Sequence, residues 1–205
     1  MIYYFDLISV LVCSITGALA SMDKKIDGFG LFIIGTVAGI GGGTVRDIIL
    51  GRFPVFWISD NTYFISIAIG TVCAVIFANT LQRKKYSYLL LFLDALGLAI
   101  FTIIGADAAI ELGKTNLVII IMAMTTGVVG GMLRDILCNE IPLILRREIY
   151  ALASIIGAIV YIILLNTLPS KEFAVVLSIS ITAAIRLLAI KYKLSLPHFS
   201  HLVKK

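Results

Sequence analysis

Two short stretches of the chain set charge beside glycine. One reads Gly39-Ile40-Gly41-Gly42-Gly43-Thr44-Val45-Arg46-Asp47 and the other Gly127-Val128-Val129-Gly130-Gly131-Met132-Leu133-Arg134-Asp135. Both lie inside long apolar runs, where a lipid-exposed charge costs about 2.5–3.5 kcal/mol on insertion scales, so Arg46, Asp47, Arg134 and Asp135 must face an interior and find partners. Adjacent helical residues point about 100° apart, which places Arg46 poorly for Asp47. Pairing across the two stretches, Arg46 with Asp135 and Arg134 with Asp47, is the expectation. An interior glycine costs a helix about 1 kcal/mol relative to Ala, so Gly41, Gly42 and Gly43, and likewise Gly130 and Gly131, predict a break within each span. Freed carbonyl oxygens with no side chain in front of them can coordinate a dehydrating cation. Gly35, Gly39 and Gly43, and Ala123, Gly127 and Gly131, are also spaced as in helices that pack closely. Gly41 and Gly42 lie off that stripe, and close packing needs neither Arg nor Asp. The charges are equally consistent with an internal clamp that meets no permeant species.

The elements that must hold these residues follow from composition. Of 205 residues 60% are hydrophobic and 14% charged, with mean hydropathy +1.06. That excludes an ordinary soluble domain, which carries about 25% charged residues. Apolar runs occupy about residues 3–22, 28–50, 61–81, 87–110, 115–138, 148–167 and 172–190. Each matches the roughly 20 helical residues that cross a bilayer, and none alternates as a barrel strand would. The expected fold is an all-α membrane protein of seven transmembrane helices. Ala18-Leu19-Ala20 resembles a signal-peptidase site, but Asp6 and the absence of a preceding basic residue predict retention of the first span.

Direction follows from the basic residues. With the N-terminus outside, the inner segments hold Lys24, Lys25, Arg83, Lys84, Lys85, Arg146, Arg147, Lys191, Lys193, Lys204 and Lys205, and the outer ones only Arg52, Lys114 and Lys171. The N-terminus is therefore expected outside and the C-terminus in the cytoplasm of an inner-membrane protein. Asp107 and Glu111, four apart at the outer end of the fourth span, could collect cations at an outer mouth or simply form a solvated helix end. Arg186 is expected to snorkel. Cys13, Cys73 and Cys138 read as small buried hydrophobes, His198 and His201 lack metal-ligand company, and basic clusters without interleaved aromatics do not suit a nucleic acid.

Sliding the sequence along itself by 88 positions aligns Asp6 with Asp94, Gly17 with Gly105, Gly39 with Gly127, Gly42 and Gly43 with Gly130 and Gly131, Arg46-Asp47 with Arg134-Asp135, and Pro54 with Pro142. Shared hydrophobicity cannot align glycines, prolines and charges. Each copy holds three spans, and an odd number turns the second upside down. The expected organisation is a first three-helix repeat over 1–85, an inverted repeat over 86–168, and a seventh helix with a cytoplasmic tail over 169–205.

Seven spans in this arrangement, with Gly-Gly-Gly-x-x-Arg-Asp in the second and Gly-Gly-x-x-Arg-Asp in the fifth, resemble the prokaryotic trimeric intracellular cation (TRIC) channels over about residues 3–190. The resemblance implies a homotrimer with one hourglass pore per subunit, lined by broken second and fifth helices and passing monovalent cations, potassium physiologically and sodium. It carries over to Gly41, Gly42, Gly43, Arg46, Asp47, Gly130, Gly131, Arg134 and Asp135. Animal members hold an anionic lipid with basic residues in the fourth span; here that span carries Asp107 and Glu111. Bacterial proteins with the same paired domain have also been described as carriers of small amino acids, notably glycine, and an arginine could hold a substrate carboxylate as readily as it pairs with aspartate. No HExxH, GxSxG or Walker loop is present, which argues against an enzyme, and no cofactor is implied. Membrane lipids are the remaining expected partners.

Overall fold

The computed structural model describes residues 1–80, 83–146 and 149–194. Its helices are α1 (Ile2–Ser21), α2 (Gly28–Leu50), α3 (Thr62–Thr80), α4 (Arg83–Glu111), α5 (Asn116–Leu137), a single turn α6 (Leu143–Arg146), α7 (Ile149–Thr167) and α8 (Lys171–Lys191). Every expected span is present. Six of the long helices are apolar enough to cross a bilayer, whereas α3 is apolar over the shorter stretch Thr62–Ile76. Arg147, His198, His201, Lys204 and Lys205 lie outside the described residues.

Local chemistry fixes the helix ends. The Gly30 amide donates to Asp27 Oδ1 at 2.8 Å, capping α2, and the Phe173 amide to Ser170 Oγ at 3.4 Å, capping α8. The C-termini of α2 and α5 close alike. Gly51 (φ 68°) and Asn139 (φ 54°), equivalent under the 88-residue shift, both take the left-handed conformation that glycine and asparagine tolerate. The following amides then fold back, Arg52 N to Asp47 O at 2.8 Å and Glu140 N to Asp135 O at 2.9 Å.

At the centre, α1, α2, α4 and α5 pack together, with α3 on α1 and with α7 and α8 against α4. The inverted repeat is visible in the contacts themselves. A methyl group on Gly42 would strike the Thr126 carbonyl, and one on Gly130 would lie 2.5 Å from the Ala38 carbonyl oxygen. Gly39 would meet Ser14 Oγ at 2.8 Å and Gly127 would meet Thr102 Oγ1 at 2.8 Å, again equivalent neighbours. These glycines let backbones touch, within each repeat and between α2 and α5.

The expected break in the two spans is absent. Both α2 and α5 run as continuous α-helices through Gly39–Gly43 and Gly127–Gly131. The propensity penalty of glycine is offset by the close approach it permits, so the helical hydrogen bonds persist and no mid-span carbonyl is released. Arg186 also departs from expectation. It is 1% exposed and stands 4.7 Å from the centroid of the Tyr150 ring, inside the bundle rather than reaching for an interface.

Candidate functional site

The paired charges at the ends of α2 and α5 form two equivalent clusters, one per repeat. Arg46 Nε donates to Asp47 Oδ1 at 2.8 Å, and Asp47 Oδ2 accepts the Phe56 amide at 3.0 Å. Arg134 Nε donates to Asp135 Oδ1 at 2.9 Å, and Asp135 Oδ2 accepts the Leu143 amide at 2.9 Å. Each aspartate thus ties its own arginine to the loop that leaves the helix. The expected cross-repeat pairs do not form. The helices cross at Gly42 and Gly130; Arg46 lies four residues past the crossing toward one end and Asp135 five past it toward the other. At about 1.5 Å of rise per residue they stand roughly 13 Å apart along the axis. A guanidinium on three methylenes can instead bend back over its neighbour.

Beyond the clasps the clusters differ. Arg134 is 1% exposed and fully engaged: Nη1 donates to Asp94 Oδ1 at 2.9 Å and to Thr16 Oγ1 at 3.0 Å, and Nη2 lies 2.9 Å from Asp135 Oδ1. Tyr150 OH completes the group at 3.4 Å from Asp94 Oδ1. The adjoining cavity, lined by Cys13, Thr16, Asp94, Thr126, Gly130 and Gly131 among others, holds about 10 Å³, the limit for one water. Arg46 is similarly buried, at 4% exposed, with its guanidinium carbon 5.4 Å from the Phe56 ring centroid. Among the described residues, however, no protein atom accepts a hydrogen bond from its terminal nitrogens. Asp6, the counterpart of Asp94, accepts from Tyr63 OH at 2.8 Å and forms no ion pair with Arg46. Between them opens a cavity of about 240 Å³.

Asp107 and Glu111 both line this larger cavity, yet neither is an open collector of cations. Asp107 is buried and held by Lys171 Nζ at 2.7 Å and Tyr161 OH at 2.8 Å, while Glu111 lies 3.6 Å from Arg52. Gly41 faces Leu133, Gly43 faces the Phe56 ring, and Gly42 fills the helix crossing; of the glycines singled out, Gly130 and Gly131 border the small cavity. Sequence reasoning passed over Asp6, Asp94, Thr16, Tyr63 and Tyr150. The alignment of Asp6 with Asp94 was the available signal. Among the described residues, no three His, Cys, Asp or Glu side chains gather as metal ligands.

Two inverted three-helix halves, a seventh helix outside them, and an arginine–carboxylate cluster buried in each half define an integral membrane protein of the inverted-repeat class. The family model described as Glycine transporter matches twice, over residues 3–79 and 91–166, and the chain belongs to that family. It is 37% identical over 201 residues to the UPF0126 inner membrane protein YadS of Escherichia coli K12, covering 98% of this chain and 97% of the relative. A UPF0126 membrane protein of Vibrio cholerae is 39% identical over 98% of this chain and 83% of its own length. Among solved structures, the TRIC trimeric intracellular cation channel orthologue from Rhodobacter sphaeroides superposes with a TM-score of 0.86 at 34% identity, covering 94% of this chain and 98% of that one. A prokaryotic TRIC channel in 0.5 M KCl gives 0.88 at 28% identity, covering 94% and 96%.

Proposed function

We propose that the protein is a channel for monovalent cations, potassium above all, and not an enzyme, working as a homotrimer with one pathway in each subunit. The observation that carries this is the likeness, over nearly the whole chain, to solved channels that conduct cations. The pathway would start in the 240 Å³ cavity, where Asp6 forms no ion pair among the described residues while Asp107 and Glu111 are held by Lys171 and Arg52. It would continue between α1, α2, α4 and α5 to Arg134, where the conformation described is shut. The protein would lie in the inner membrane, N-terminus outside, in contact with lipid on its apolar outer faces, and would need no cofactor. Purified protein in planar bilayers should give unitary currents in KCl that reverse near the potassium potential, and light scattering should give three chains per particle. Absence of unitary currents, or a chloride reversal potential, would overturn the reading.

A second reading, a carrier of a small amino acid such as glycine, draws support from the family match to both repeats and from the unengaged guanidinium edge of Arg46. It predicts saturable, counter-flow-sensitive flux without unitary steps.

A further inference from the structure

Each repeat sends one charged residue past the end of its arginine-bearing helix to meet the other repeat. Arg52, six residues beyond Arg46, stands 3.6 Å from Glu111 at the end of α4. Glu140, six residues beyond Arg134, accepts from Lys24 Nζ at 2.6 Å, in the turn that follows α1. The two pairs lie at opposite faces of the bundle, since α2 and α4 end at one face and α1 and α5 at the other. Arg52 and Glu140 are equivalent under the 88-residue shift, and Glu111 and Lys24 fall one place apart in it. Both charges are reversed between the copies. Reversal of one partner alone would have set like charges together, so attraction between the repeats is kept at each face with the signs exchanged.

The two pairs are not held alike. Lys24 and Glu140 share a short charge-assisted hydrogen bond, whereas Arg52 and Glu111 stand beyond hydrogen-bond reach. The cavities behind them follow the same order. About 10 Å³ lies between α1 and α5, lined by Cys13 and Thr16 of one helix and by Gly130, Gly131 and Arg134 of the other, against about 240 Å³ beside Arg52 and Glu111. The Glu140 amide donates to the Asp135 carbonyl and the Asp135 carboxylate holds Arg134, so Glu140 is tied to the helix end that carries the guanidinium. Lys24 follows Thr16 on the same stretch of chain by eight residues, and Thr16 accepts from Arg134 Nη1 at 3.0 Å. Lys24–Glu140 and Thr16–Arg134 therefore bridge the same two segments, one at the face and one in the interior. The equivalent of Thr16 is Ile104 on α4, which accepts nothing, so among the described residues α2 and α4 have the longer face pair and no interior bridge.

We infer that Lys24 and Glu140 form a latch that holds α1 against α5 and keeps the Arg134 cluster shut, and that Arg52 and Glu111 are the same device in a slacker state at the opposite face. Both pairs are partly exposed, and an exposed ion pair shifts an equilibrium by only about two- to fivefold. A fastening of that strength biases the closed state without making it permanent.

The test is the rate at which a water-soluble maleimide labels Cys13 in the purified full-length protein, with Cys73 and Cys138 changed to Ser, because parting α1 from α5 opens the small cavity that Cys13 lines. Lys24→Glu and Glu140→Lys, each of which turns attraction into repulsion, should raise the rate at least about threefold. Lys24→Glu combined with Glu140→Lys rebuilds the pair with the signs found at the opposite face and should return the rate to within about twofold of the parent. All variants should elute from size exclusion as the parent does, so that faster labelling is not lost fold. Salt gives a reading that needs no charge variant: added KCl should speed labelling of the parent by screening attraction, and slow it in either single reversal by screening repulsion. Single reversals that leave the rate unchanged, a double variant whose rate is the product of the single effects, or a parent rate indifferent to salt would each overturn the latch. Labelling reports the conformation of the bundle and not a flux, so the outcome is independent of whether the protein conducts ions or carries a solute.

Discussion

Arg46 and Arg134 occupy equivalent places in two copies of one motif, and both clasp the next aspartate and the following loop in the same way. Yet one copy is closed by Asp94 and Thr16 while the other stands open between Asp6 and Ile104. The lesson is that duplication supplies two clusters of the same chemistry, and two acceptors, Thr16 and Asp94, whose equivalents Ile104 and Asp6 do not reach Arg46, set how tightly each arginine is held. A buried guanidinium with three acceptors, as at Arg134, is a lock; with one, as at Arg46, it remains available to a solute.

The comparison breaks most directly at the arginines. Arg134→Ala strands Asp94 and Asp135 together in a dry interior, and breaking a buried pair this way costs about 3–5 kcal/mol. Arg46→Ala strands only Asp47, since Asp6 is not in contact with it. Thermal denaturation in detergent should therefore show a clearly larger fall in Tm for Arg134→Ala; equal falls would mean that the clusters are held alike. Next comes the crossing between the repeats. Gly42→Leu drives a side chain into the Thr126 carbonyl, with overpacking of about 1–3 kcal/mol, whereas Gly41→Ala comes tightest against the flexible end of Leu133, at 3.1 Å, and should leave Tm nearly unchanged.

Thr16→Ile makes the closed cluster resemble the open one. A hydrogen bond to a charged group contributes about 1.5–3 kcal/mol net, so its loss should raise the exposure of the neighbouring cavity by roughly tenfold or more. Cys13 lines that cavity and serves as a native reporter. With Cys73 and Cys138 changed to Ser, a water-soluble maleimide should label Cys13 at least tenfold faster in Thr16→Ile; an unchanged rate would remove Thr16 from the account of the asymmetry. The smallest effect is expected outside the bundle. Asp60, in the loop before α3, accepts from Thr62 Oγ1, Tyr3 OH and the Thr62 amide, which together hold its carboxyl below the usual range. A lowered folded-state pKa contributes stability above the unfolded value, near 4, and that contribution fades as pH falls through the folded value. Asp60→Ala should lower Tm slightly at pH 7, and the gap from wild type should close in acid. A gap that widens in acid would refute this.

Much of this arrangement was legible in the residues. Long apolar runs give their spans away because lipid demands about 20 residues of them, and the Gly, Pro and charge matches gave the duplication without a gap. Glycine was harder. Gly41–Gly42–Gly43 is consistent with a broken helix or with a close crossing, and only the carbonyl of Thr126 against Gly42 decides for the second. The partners of Arg134 were hidden for another reason. Asp94 and Thr16 lie 40 and 118 positions away, so a cost in lipid says that a partner must exist and not which one it is. The Arg46–Asp135 expectation, by contrast, failed on a fact already available, since inverted helices carry equivalent residues away from their crossing in opposite directions.

The small cavity beside Arg134 has a consequence for the cell. On the proposed route past Arg134, a void that admits at most one water would carry no current, so this conformation would leave a membrane's ion gradients intact. Opening that proposed route would first part a guanidinium from a carboxylate in a dry place, so no separate plug would be needed against leakage.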